Sequence, residues 1–126
     1  ILRIQAPYEE RSTVFENFFH AGSLDVSEEV VAHITEVAAA VPTVVDVFLD
    51  RPAILTPFVD QVAALTGNWG TSAEALLDVL TGAAEPKGVL PFDLPSSMAA
   101  VEQSRSDVPF DTADPLFGFG FGLSYS

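Results

Sequence analysis

The spacing of apolar and polar residues changes several times along this chain, and each change marks an element. Residues 1–5, ILRIQ, are short and apolar and predict a strand that ends at Ala6-Pro7. A long loop follows over 7–26, with room for one helical turn near Phe15–Phe19. Helical spacing then sets in. Val30, Ile34, Val37 and Val41 form one stripe, widened by Val31 and Ala38. Asp25 or Ser27 can cap this helix, Glu28 and Glu29 sit where its dipole favours negative charge, and Pro42 stops it. TVVDVFL (43–49) is nearly continuous and β-branched, the pattern of a parallel strand covered on both faces. Asp50-Arg51-Pro52 terminates it.

Thr56-Pro57 is a cap followed by proline at a first helical position, so a short helix is expected around Phe58–Gln61. VAALT (62–66) fits strand or helix by spacing alone. It is read as a third strand because Gly67-Asn68-Trp69-Gly70 makes a tight loop before another helix. That helix starts with a capping box, Thr71 and Glu74, buries Ala75, Leu76, Val79 and Leu80, and ends at Gly82. Pro86-Lys87-Gly88 is a turn. Beyond it come GVLPFDLP (88–95), a polar acidic stretch (96–114) and an aromatic, glycine-spaced tail. Strand–helix alternation of this kind predicts an α/β fold with a parallel sheet and right-handed crossovers. No repeat of solenoid length is visible.

Length and charge narrow the classes. The 126 residues suit one domain, and 48% hydrophobic with 18% charged content is globular in type. No apolar run reaches the roughly 20 residues that cross a bilayer. The chain opens at Ile1 inside a strand, without Met or a signal-peptide pattern, as a mature product or an excised piece would. The net charge of −13 argues against nucleic acid and against an anionic membrane surface. A neutral sugar is indifferent to such a field. Without cysteine there is no disulfide, thiolate zinc site or thiol nucleophile, and the compartment stays open.

Ligands of open α/β sheets lie beyond the carboxyl ends of the strands. Three loops leave those ends, carrying Tyr8-Glu9-Glu10, Asp50-Arg51 and Asn68-Trp69. Carboxylates, an arginine and an aromatic face suit a sugar, and the same set also suits a solvated rim. No GxxxxGK[ST] phosphate loop and no GxSxG serine elbow is present. His33 falls on the polar face of its helix, and His20 lies in a loop beside Phe18 and Phe19. Asp107, Asp111 and Asp114 lack the spacing of an EF-hand and read as a solvated segment. Asp46, inside an apolar strand, needs a partner, and Arg3 on a neighbouring strand can supply an ion pair.

The two closing segments carry a further signal. GVLPFDLP, then DVPFD, then DPLFGFGFGLSY resemble the end of glycoside hydrolase family 3. PTVVDVFLDRPAIL, ALTGNWGTSAEALLDVLTG and PKGVLPF agree with that family in order and spacing, so the resemblance covers essentially the whole chain. It implies a three-layer α/β sandwich with a mostly parallel sheet, here one domain over 1–126 that is a fragment of the family's C-terminal domain. The closing segments would fix the final strand, with Pro91 and Pro95 at an edge and Phe117, Phe119, Phe121 and Tyr125 burying large area.

The resemblance also implies a retaining β-glycosidase, most readily a β-glucosidase or exo-glucanase, that removes terminal non-reducing β-linked sugars. It implies no cofactor and no metal. A nucleophilic Asp would come from an N-terminal barrel domain that this chain lacks, leaving the isolated fragment inactive. Onto this sequence the acid/base role falls on Glu9, after Pro7-Tyr8, with Glu10 as the alternative one residue on. A carboxyl packed against Tyr8 can keep a proton to donate. Two solvated loop glutamates are the plain alternative. Arg11, His20, Asp50, Arg51 and Trp69 are the expected sugar-binding lining. The first strand would expose an edge open to pairing with another copy. The competing readings are a non-catalytic sugar-binding or assembly module and a flavodoxin-like regulatory domain. The latter needs a phosphate-binding first loop, for which PYEERS has no glycines.

Overall fold

Three short parallel strands carry the fold. The structure is a computed structural model and describes residues 1–125. Strand β1 (Leu2–Gln5) pairs with β2 (Val44–Phe48), which pairs with β3 (Ala64–Asn68), in the order β1-β2-β3. Helix α1 (Val14–Asn17) lies in the loop after β1, and α2 (Glu28–Ala40) links β1 to β2. A 3-10 turn, Val59–Gln61, precedes β3. Helices α3 (Ala73–Leu80) and α4 (Met98–Gln103) follow it. The strand–helix alternation thus yields an α/β domain with an all-parallel sheet.

Register decides which residues share a face. Leu2, Val45 and Leu65 lie abreast, and Ile4 lies beside Val47, so alternation puts this apolar set on one side. Ile34 of α2, 1% exposed, packs into the same core as Val45, Val47, Leu55 and Phe58. Burying a side chain of this size stabilises by about 1.5–3 kcal/mol. Ser27 caps α2, its hydroxyl accepting from the Val30 amide.

The other face is polar along one row, with Arg3, Asp46 and Thr66 in register. Asp46 is 1% exposed and accepts from Arg3 Nε at 2.8 Å, Thr66 Oγ1 at 2.7 Å and Asn68 Nδ2 at 2.9 Å. The ion pair expected from sequence forms, and three donors offset the burial of the charge.

Four local expectations change. Asn68 ends β3 instead of opening a loop, and its side-chain oxygen takes the amides of Gly70 and Thr71 to make the turn. The cap of α3 is Ser72, whose hydroxyl accepts from Ala75 N at 3.2 Å, so the Thr71–Glu74 capping box does not form. On α3 Leu76 is buried while Ala75 faces solvent. Within the supposed polar stretch, Ser97 caps α4, which buries Ala100.

The closing segments are not strands of the sheet. They pair with each other. Leu94 N and Leu90 N donate to Phe117 O and Phe121 O at 2.8 Å, and Gly120 N donates back to Leu90 O. A Cβ on Gly122 would stand 2.5 Å from the Gly88 carbonyl, which explains the glycine there. Leu94 is the core anchor. Phe119, Phe121 and Tyr125 stay exposed, contrary to the expected burial, and Phe119 and Phe121 stack instead on Phe110 and Phe117.

Candidate active site

Parallel strands send their following loops to one end of the sheet. The loop after β1 runs outward through Tyr8 and Glu9 and returns through His20 to Gly22. Its arms join where Glu9 N donates to Ala21 O at 2.8 Å, an antiparallel bridge. Gly22 has φ +92°, and a Cβ there would stand 2.3 Å from Glu9 Cγ. The Glu9 side chain therefore lies across a surface that only glycine leaves open.

Around Glu9 the loop is tied by polar contacts. Arg11 Nη2 stands 3.4 Å from Glu9 Oε2, and both side chains are about half exposed. Arg11 is itself held, its amide donating to Asn17 Oδ1 at 2.6 Å while Asn17 Nδ2 donates to its carbonyl at 3.0 Å. Thr13 caps α1 and also bonds the Glu16 carboxylate. The rings of Tyr8 and His20 stack with centroids 4.0 Å apart and 6° between planes. His20 Nδ1 pairs with the Asp50 carboxylate at the end of β2. Arg51, next in the chain, donates to Pro7 O at 3.3 Å and Gly22 O at 2.9 Å.

The sheet thus brings Glu9, Arg11, His20, Asp50 and Arg51 into one cluster, although β1 and β2 are far apart in sequence. Glu10 is exposed, and its side chain has no hydrogen-bond partner among the described residues. Trp69 stands apart. It is half exposed and meets Phe92 edge-on at 6.2 Å, while β2 separates its strand from β1 by roughly 10 Å of sheet. Gly22 and Asn17 are not legible in the sequence as site-builders, because one acts by lacking a side chain and the other by bonding the backbone of a residue six positions away. A glycine shortly after an aromatic run was the only hint.

Two open concavities lie elsewhere. One of about 470 Å³ sits over the polar face between Arg3, Gln5, Phe48, Asn68 and Thr71. Another of about 300 Å³ runs between β1 and α2, floored by Leu2, Ile4, Val30 and Ile34. Neither includes Glu9. Among the described residues no His, Asp and Glu gather in a group of three that could hold a metal ion. Among the described residues no helix is long and apolar enough to cross a membrane.

The chain is 48% identical over 126 residues to "Probable beta-glucosidase C" of Aspergillus oryzae, covering all of this chain and 20% of that protein. It is 47% identical over 125 residues to "Beta-glucosidase C" of Emericella nidulans, covering 99% of this chain. It is 41% identical over 129 residues to "Periplasmic beta-glucosidase/beta-xylosidase" of Dickeya chrysanthemi, again 99% of this chain and 20% of the relative. The chain therefore spans 20% of the length of these curated relatives. The profile described as "Glycosyl hydrolase family 3 C-terminal domain" matches residues 9–125, nearly the whole chain, and with the all-parallel α/β sheet it establishes that this chain belongs to the glycosyl hydrolase family 3 C-terminal domain family.

Proposed function

We propose that this chain is the acid/base-supplying part of a retaining β-glycosidase that acts on terminal, non-reducing β-linked sugars, β-D-glucosides foremost. The observation that carries the reading is the placement of Glu9. It lies on the loop at the carboxyl end of β1, in a cluster of polar residues, beside a run of exposed apolar side chains. Val14, Phe15, Phe18 and Phe19 all face solvent on that loop. Such a patch rimmed by polar groups marks a surface that meets something else, and a barrel domain of the same enzyme is the occupant proposed here. The names of the relatives supply the substrate class.

In the proposed reaction the barrel's aspartate attacks the anomeric carbon while Glu9 protonates the glycosidic oxygen. The bond to the leaving group breaks and a glycosyl-enzyme forms. Glu9, now a carboxylate, takes a proton from the water that releases the sugar. Retention needs the two carboxyl groups about 5–5.5 Å apart. Glu10 is the alternative acid/base. Arg11 beside Glu9, the His20–Asp50 pair at the base of the same loop, and Trp69 after β3 are the proposed sugar lining. No cofactor takes part. A second proposed partner is another copy of the chain, paired along the outer edge of β1.

The test uses aryl and alkyl β-glucosides. The isolated chain should be silent, and the longer enzyme active. Glu9→Gln in the longer enzyme should lower kcat by about 10²–10⁴-fold on a poor leaving group. The dinitrophenyl glucoside should be far less affected at glycosylation, with azide rescuing turnover. An unchanged rate for Glu9→Gln, with the loss appearing in Glu10→Gln, would transfer the role to Glu10.

A further inference from the structure

We infer that Arg51 is a positioning residue for the loop that carries Glu9, and not a ligand for the sugar. The inference rests on the acid/base reading of Glu9. Arg51 lies just beyond β2 and is half-buried, whereas residues 8–20 of the loop include no buried residue. Packing does not hold that loop. Ordering each of its residues costs roughly 1–2 kcal/mol of backbone entropy, so polar ties must do so.

Arg51 supplies two of those ties, one to each arm. Nη1 donates to Pro7 O on the outgoing arm, and Nη2 donates to Gly22 O on the returning arm. A planar guanidinium can reach two carbonyls at once with little loss of freedom, which a lysine ammonium on its flexible stem does poorly. The Gly22 end matters most. Glu9 Cγ lies where a Cβ of residue 22 would be, so the peptide that Arg51 grips is the floor beneath the acid/base side chain. These contacts use two of the five guanidinium N–H donors and direct one from each terminal nitrogen at the loop backbone.

Glu9 amide exchange and leaving-group dependence in the longer enzyme test this. Arg51→Met keeps the aliphatic stem without donors, and Arg51→Lys keeps the charge. The expected result for Arg51→Met is lost protection of the Glu9 amide, together with a fall in kcat of about tenfold or more on an alkyl β-glucoside. The dinitrophenyl glucoside should be much less affected, and Arg51→Lys should fall between. Unchanged protection of the Glu9 amide overturns the inference. A rise in KM with kcat intact also overturns it, because that is the signature of a sugar ligand. If Glu9→Gln shows no leaving-group dependence, the acid/base reading fails, and amide exchange alone decides whether Arg51 holds the loop. Should Arg51→Met not fold, Arg51→Lys carries the same readouts.

Discussion

Asp46 shows how one residue can be anticipated from its neighbours. A carboxylate amid β-branched residues demands partners, and Arg3 was the visible candidate. The fold adds Thr66 and Asn68, which sequence reading could not supply, because their approach depends on β3 registering against β2. Asp46→Ala should therefore cost about 1–3 kcal/mol, since it leaves the Thr66 and Asn68 side chains without their acceptor, while Arg3 keeps the Thr71 carbonyl and solvent. Chemical denaturation of the variant checks this, and a loss within a few tenths of a kcal/mol would mean the donors find water instead. The candidate site was legible to a different degree. Glu9, Asp50 and Arg51 stand out at strand ends, whereas the role of Glu9 and the inclusion of Arg11 and His20 come from the resemblance to the family. What each one touches was not legible. Asp50 and Arg51 were expected to face a sugar, yet their contacts run to His20 and to the backbone of the loop. Two adjacent residues at a strand end point in different directions, and composition does not say which way.

At the scale of elements the pattern of apolar positions performed best where it was long. The stripe of α2 and the β-branched run of β2 predicted both elements, because burial of one face sets their period. Short elements were less legible. Helix α4 lies in a stretch of polar composition, and six residues scarcely develop a periodic stripe. The start of α3 was displaced by one residue, because Thr71 and Ser72 are both good caps and backbone geometry chose between them. The Arg3 side chain bonds the Thr71 carbonyl at 2.8 Å, which fixes that peptide and leaves Ser72 facing the helix amides. Replacing Ser72 with Ala should thus lower stability by about 1 kcal/mol. Thr71→Ala should cost clearly less. Equal losses in thermal melts of the two variants would restore the capping box.

For the molecule as a whole, β1 and β3 each leave an edge of the sheet without a further strand among the described residues. Strand β1 stands at the edge, and the cleft floored by Leu2, Ile4, Val30 and Ile34 runs beside it. Edges of this kind pair readily with a further strand. The isolated chain should accordingly associate with itself as its concentration rises, measured by sedimentation velocity. A monomer at all concentrations would show that β1 is not available for pairing.

Hydrophobic periodicity and the order of the closing motifs were enough to determine the α/β class, the parallel sheet and the family, because these follow from local burial and from residue identities along the chain. Tertiary structure alone decided that the closing segments zip to each other instead of adding a strand, and that Gly22 and Arg51 shape the loop that carries Glu9. Each of these depends on backbone amides and carbonyls from distant parts of the chain meeting at hydrogen-bond range. Every residue carries nearly the same backbone groups, so side-chain identity does not reveal which of them will meet.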